Sequence, residues 1–411
     1  MNPQPVISFE NTENAFAYKS DGQLKKANFI FSIMQFQWLV NWGVKITPYL
    51  MKLNLPINGL IRKTIFKQFC GGETLEETAI VAQQFGKYKV QLVLDYGIEG
   101  IEGEENFEAA VDEIIRVIYY ASTQQHIPFV SIKITGYAPF SLLQKINENM
   151  LKESGDVMEQ YFKVVEKLSQ KEGGEWKKVV DRINRIVAAA AEKHIGLLID
   201  AEESWIQNPV DALCMQLMEK YNKNRCIVYN TIQHYRFDRL TFLKWSFGVS
   251  VEREFVLGAK LVRGAYMEKE RKRAIEFNYP SPIQSDKIAC DKDYNLGIEF
   301  CISNLEKISL IVASHNEFSN LYAAQLLQQK SISLNHPHIH WSQLFGMSDN
   351  ITFNLAKAGC SVSKYLPFGP IKDVIPYLMR RAQENTSIGG QTGKELGFIR
   401  KEIQRRKLLK Y

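Results

Sequence analysis

From residue 88 onward, short apolar runs alternate with longer stretches whose apolar residues recur at helical spacing. The runs VQLVLDYG (90–97), FVSIKITG (129–136), IGLLIDAE (195–202), RCIVYNTIQ (225–233), GAKLVRGA (258–265), SLIVASHN (309–316), HIHWSQLFG (338–346) and GCSVSKYLPFG (359–369) each predict a strand. Patterns such as NFEAAVDEIIRVIYYAST (106–123) and WKKVVDRINRIVAAAAEKH (176–194) predict the helices between them. Eight strand–helix units in a chain of 411 residues predict an α/β fold, a distorted (β/α)8 barrel, with a doubly wound sheet as the structural alternative. The expected organisation is a helical segment over residues 1–75 that packs on the barrel, the barrel over 76–392, and a basic tail over 393–411.

A barrel of this kind collects reactive side chains where strands end and loops begin. The chain meets that demand with Lys133 in the second run, Asp200 to Glu203 after the third, Gln233 at the end of the fourth and KLVRGAY (260–266) in the fifth. Ser314, His315 and Asn316 close the sixth, Leu344 and Met347 flank the end of the seventh, and Tyr365 lies near the end of the eighth. DVIPYLMRRAQEN (373–385) follows, a predicted helix that Asp373 can cap and that holds Pro376 in its first turn. Arg380 and Arg381 lie about 100° apart around such a helix, so both guanidinium groups can face one small anion. The competing reading is an exposed helix face with Arg380 and Glu384 as an i, i+4 ion pair.

Composition narrows the alternatives. Hydrophobic residues make up 45% of the chain, and few Pro- or Gly-rich runs occur, so a folded core is expected. The six cysteines form no CxxC pair and no regular spacing, which points to a reducing compartment and away from a disulfide framework or zinc knuckle. A net charge of +6, heaviest in KEIQRRKLLK (401–410), is too diffuse for a nucleic-acid surface. Residues 1–28 resemble neither a signal nor a transit peptide, so a cytoplasmic location is expected, with peripheral contact at the inner membrane face. NFIFSIMQFQWLVNWGVKITPYLM (28–51) is apolar, but Gln35, Gln37, Asn41 and Lys45 interrupt it too often for a membrane span. Helices on the main domain, or a face touching a membrane without crossing it, fit better.

Two motifs are set aside. HPHIH (336–340) hints at a metal-dependent barrel hydrolase, but only Asp200 and His315 offer further ligands on other strands, so no metal site is expected. GGQTGKE (389–395) has the wrong spacing for a phosphate loop, and its glycines are read as ending the arginine helix. No GxGxxG follows a strand, so a Rossmann-type nicotinamide site is unsupported. A barrel used only as a binding scaffold is disfavoured because it gives no reason for keeping Lys133, Asp200, Arg380 and Arg381.

The blocks SIKITG, LLIDAEES, YNTIQHY, KLVRGAYMEKERKRA, ASHN, FGMSDN and YLPFGPIKDVIPYLMRRAQENTS resemble, in order and spacing, the proline dehydrogenase family over roughly residues 70–390, in its stand-alone, eukaryote-like branch. The resemblance implies a barrel flavoprotein that binds FAD, oxidises L-proline to Δ1-pyrroline-5-carboxylate by hydride transfer to flavin N5, and passes electrons to a membrane quinone. This is the first step of proline catabolism to glutamate. It implies that Arg380, Arg381 and Lys133 bind the proline carboxylate, with Tyr266, Leu344 and Tyr365 around the ring and Glu384 holding Arg380. Asp200 and Lys260 are the implied catalytic pair, Asp200 acting by position and charge. Gln233, Lys260, Ala201, Val262, Arg263, Gly264, Ala265, Ser314 and His315 would contact the flavin. Lys260 stands where many bacterial members have arginine, which keeps the charge and loses the bidentate fork. The tyrosine at 365 resembles the proline-selective members.

Overall fold

The computed structural model describes residues 7–36, 38–40, 42–43, 58–97, 102–387 and 391–408; the side chains of Asn58, Leu60, residues 382–387, Gln391 and Leu408 are not described. Eight strands follow one another in chain order and close into a parallel barrel. They are β1 Val90–Tyr96, β2 Phe129–Lys133, β3 Gly196–Asp200, β4 Val228–Gln233, β5 Leu257–Val262, β6 Ile308–Ala313, β7 Ile339–Leu344 and β8 Val362–Phe368. Closure excludes the doubly wound alternative. All eight predicted runs contain a strand, and most strands are shorter than the apolar run. The second loses its last three residues: after Lys133 the chain turns through a 3₁₀ segment, Ile134–Gly136, so the residues that continue the run are loop.

The chain divides into two compact units, Met1–Gly97 with Ser342–Tyr411, and Ile98–Trp341. In the second unit β2 to β6 pair in parallel register, with Lys133 opposite Asp200, Gln233 opposite Val262 and Lys260 opposite both Thr231 and Ile311. Every residue of β4 is buried, as expected of a parallel strand covered on both faces. Local signals start its helices: Ser169 and Glu172 form a capping box at Gln170–Glu192, and Asn316 caps Glu317–Gln329 by accepting the Ser319 amide at 3.1 Å.

In the first unit β1 pairs with β8, Val93 lying opposite Tyr365. Helices α1 (Thr12–Phe16) and α2 (Asp21–Met34) join Phe66, Phe69, Met347, Val374, Leu378 and Leu396 in one apolar cluster. The arginine helix runs Ile371–Ser387, two residues further back than expected. Asp373 is therefore inside its first turn rather than capping it, with its amide donating to Pro370 O at 2.9 Å. Pro376 lies inside the helix, beyond the first turn, on an exposed face where the lost bond costs least. Gly389 and Gly390 lie outside the described residues, and a second helix, Gln391–Leu408, follows. Among the described residues no helix is long and apolar enough to cross a membrane.

Candidate active site

In the Ile98–Trp341 unit, the C-terminal ends of β2, β3 and β5 bring three charged side chains together. Asp200 Oδ1 contacts Lys260 Nζ in a short ion pair, and Asp200 Oδ2 lies 4.0 Å from Lys133 Nζ. All three side chains are largely buried, so Lys133 is a partner of Asp200 and not a surface lysine. One carboxylate between two ammonium groups leaves a net positive charge, suited to an anionic substrate or an electron-rich ring. The Asp200–Lys260 contact joins the end of β3 to β5, a distance of 60 residues in the chain that only the fold closes.

Glu202 continues the same loop. Thr135 Oγ1 donates to its two carboxyl oxygens at 2.7 and 2.9 Å. Burial pushes this carboxyl up to about 7, against the opposing effects of the Lys133 charge and the Thr135 hydroxyl. Glu202 thus titrates near neutral pH beside the lysine–aspartate cluster, a role that sequence reasoning missed because two neighbouring glutamates look alike. Glu203 differs, being paired with Lys269.

Gln233, at the end of β4, is buried and donates from Nε2 to Glu202 O at 2.9 Å, while its Oε1 has no hydrogen-bond partner. A buried acceptor without a donor invites the N–H of a bound group. Arg263 is fixed by Asp291 Oδ1 at 2.7 Å, Ser314 Oγ at 2.7 Å and Ser319 Oγ at 3.0 Å, over the ring of Tyr294. Ser314, predicted as a cofactor contact, here accepts from Arg263, and half-buried His315 follows it. Gly264 has φ +134°, and a Cβ there would lie 2.4 Å from the Tyr235 ring, so only glycine suits this turn. Ala201 is buried, Val262 half-buried and Ala265 exposed, while half-buried Tyr266 precedes the helix Met267–Glu276.

In the other unit, Arg381 is buried with its guanidinium 5.3 Å from the Tyr377 ring centre, and Arg380 is half-buried. The Glu384 side chain lies outside the described residues. Leu344 and Tyr365 are half-buried on adjacent strands, where Phe345 N donates to Tyr365 O at 2.9 Å. Leu344, the last residue of β7, and the loop after it are held by Lys364, which sequence reasoning missed. Its Nζ lies fully buried, 2.9 Å from Asp349 Oδ1, and donates to Met347 O and, at 3.4 Å, to Leu344 O. Lys19 at 3.6 Å and Tyr18 at 2.7 Å complete the surroundings of Asp349.

Glu395 joins this network by accepting the Ser348 amide at 2.5 Å. Burial and the Asp349 charge push its carboxyl up to about 7, from an ordinary 4.5. The folded state therefore binds more protons than the unfolded one between those values, and stability falls as pH rises from about 5 to 8. Glu395→Gln is expected to flatten that decline by on the order of 1–3 kcal/mol in denaturant titrations at several pH values, leaving the share due to Glu202. An unchanged slope would place the Glu395 titration elsewhere.

The histidines of HPHIH serve other contacts: His338 Nδ1 meets Leu305 O at 2.6 Å, and buried His340 packs edge-on against Phe129. Among the described residues no group of three His, Cys, Asp or Glu side chains could hold a metal ion.

A closed parallel barrel with an acid–lysine cluster at its strand ends defines the class, a (β/α)8 enzyme barrel. The profile described as proline dehydrogenase matches residues 80–394. The mitochondrial proline dehydrogenase 1 of Dictyostelium discoideum is 33% identical, over 96% of this chain and 74% of its own. The carbapenem antibiotics biosynthesis protein CarD of Pectobacterium carotovorum subsp. carotovorum is 30% identical over 82% and 83%, and the hydroxyproline dehydrogenase of Xenopus laevis 28% over 98% and 91%. Proline utilization A of Bdellovibrio bacteriovorus superposes with a TM-score of 0.69 at 19% identity, over 94% of this chain and 40% of that one, a likeness of fold. This chain belongs to the proline dehydrogenase family and is an oxidoreductase of that family.

Proposed function

We propose that the protein oxidises L-proline to Δ1-pyrroline-5-carboxylate with FAD and delivers the electrons to a membrane quinone. The observation that carries this reading is Asp200 clasped by Lys260 and Lys133 at the strand ends of a family member's barrel. The unsatisfied, buried Oε1 of Gln233 fits the ring N–H of a flavin, and the anchored Arg263 and the glycine turn at 264 fit its phosphate-bearing chain. FAD, when bound, supplies the hydride acceptor for the hydrogen leaving C5 of proline. The chain's own residues do the rest. Lys260 carries positive charge toward the ring, and Asp200 holds Lys260 and Lys133 in place. The amine proton must also leave as C5=N forms, and the negative charge of Asp200 favours its loss.

Arg380 and Arg381 keep the carboxylate-binding role that the family likeness implies, and Glu384 that of holding Arg380. Tyr266, Leu344 and Tyr365 keep that of enclosing the ring, with the Tyr365 hydroxyphenyl group selecting proline over its hydroxylated analogue. The division into residues 1–75, 76–392 and 393–411 is supported by the family match over 80–394. Peripheral attachment at the inner membrane face suits an acceptor dissolved in the bilayer.

The test is the absorbance spectrum of the purified protein before and after anaerobic L-proline. A flavin band that bleaches is the expected result; protein without flavin after reconstitution with FAD would end the proposal. Arg381→Met is expected to raise KM for proline by about 10²-fold with flavin still bound. Loss of flavin in that variant would remove Arg381 from the substrate.

A further inference from the structure

The unit Met1–Gly97 with Ser342–Tyr411 carries an apolar groove of about 390 Å³ that the proposed reaction does not use. Ile33 and Met34 of α2, Ile65 of the segment Arg62–Phe66, and Ile375, Leu378 and Met379 of the arginine helix line it. Large apolar side chains face solvent in the same stretch: Phe29, which lines the groove, is 60% exposed, and Phe36 (54%), Trp38 (62%) and Trp42 (64%) stand next in sequence to Leu39 and Gly43 of its lining or within two residues of Met34. Scattered exposed apolar residues need no explanation, but four aromatics within fourteen residues, beside a groove of the same character, form a surface.

The groove has a cationic end. Lys26 lies one turn before Phe29 and Ile30, and partial burial together with the charges of Lys67 and Lys63 pulls it below its ordinary value, so the three ammonium groups are neighbours. Lys63 and Lys67 are exposed. Arg400 and Lys407 line a second depression with Asn28, also on α2. Arg62, which lies among them in sequence, is engaged by Glu73 and Glu77 and adds no free charge.

We propose that this face docks on an anionic phospholipid bilayer, the aromatic side chains entering the headgroup boundary, the lysines meeting lipid phosphates and an acyl chain occupying the groove. Tryptophan flanking aliphatic surface, next to lysines, is the composition that favours the membrane interface. A second copy of this chain fits less well, because a two-fold pairing would bring two copies of the same cationic rim together. Met379, on the groove wall, directly precedes Arg380, so the docked face would lie at the helix assigned to substrate. The inference deepens the reading of a quinone acceptor and rests on it only for its purpose; binding itself is measurable without turnover.

The test is flotation of the full-length, flavin-loaded protein with vesicles of phosphatidylcholine alone or mixed with phosphatidylglycerol, without substrate. Binding to the mixed vesicles, weakened by added salt, is expected. K26E/K63E/K67E should lower the bound fraction on mixed vesicles at least about tenfold, and W38S/W42S should lower it by a similar factor. Both variants should keep the parent's melting temperature and its proline oxidation with a soluble dye acceptor. Parent protein that floats with neither vesicle, or variants that bind like the parent, would overturn the proposal. So would a parent dimer that W38S/W42S converts to monomer without any vesicle binding. Loss of proline oxidation with vesicle binding intact would instead count against the catalytic reading alone.

Discussion

Asp200→Asn is expected to lower the rate of flavin reduction by proline about 10²-fold or more, with flavin still bound and the fold intact. Asparagine keeps the shape of the side chain and removes its charge. Lys260, in contact with Asp200 Oδ1, and Lys133, 4.0 Å from Oδ2, then lose the negative charge that both of them meet in a largely buried site. Their mutual repulsion then spreads them apart, which moves the positive charge away from the place where Asp200 now sets it. Pre-positioned charge of this kind typically contributes a factor of 10² to 10³. The groups that fit the flavin, Gln233 and Arg263, are held by Glu202 and by Asp291, Ser314 and Ser319, so their positions survive the substitution. Anaerobic stopped-flow reduction, followed across pH, reads the effect apart from any loss of stability. A rate within threefold of the parent, with the same pH profile, would reduce Asp200 to a structural residue.

Lys364→Met is expected to be the most destabilising single change outside the reacting cluster. Lys364 is fully buried in β8, faces Asp349 at 2.9 Å, and donates to Met347 O and Leu344 O. Methionine fills a similar volume but leaves Asp349 with Lys19 at 3.6 Å and the Tyr18 hydroxyl at 2.7 Å, and frees two carbonyls. Removing one partner of a buried pair costs about 3–5 kcal/mol, because the remaining charge stays desolvated. A fall in melting temperature of roughly 3–6 °C should follow. Lys364→Met with Asp349→Leu should recover a large part of the loss, which isolates the uncompensated charge as the cause. The end of β7 at Leu344 and the loop 345–348 lose their tether, so KM for substrate should rise in the single variant even below its melting temperature. A single variant as stable as the parent would mean that Lys19 alone neutralises Asp349.

The barrel was legible because its strands are short apolar runs separated by amphipathic helices, and that alternation survives any error of a few residues in the boundaries. Lys133, Asp200 and Gln233 were legible for a related reason: a polar residue closing an apolar strand has few places to go except the strand-end face. The start of the arginine helix was misread because Asp373 looks like a cap, whereas the turn after β8 lets the helix begin at Ile371 and draws Asp373 inside. Lys364 carried much the same signal as Lys133, a lone lysine in an apolar strand, yet its partner Asp349 opens the helix after β7 and no local pattern links the two.

Sequence alone determined the fold class, the family and the set of side chains offered at the strand ends, because periodicity, order and spacing are one-dimensional properties. Tertiary structure alone decided the pairings: Lys260 with Asp200, Thr135 with Glu202, Lys364 with Asp349, and Glu395 with the amide of Ser348. It also decided that Glu202 and Glu395, among many similar glutamates, titrate near neutral pH. The physical reason is that charge and hydrogen bonding depend on distance and burial, which residues far apart in the chain acquire only when the strands bring them together.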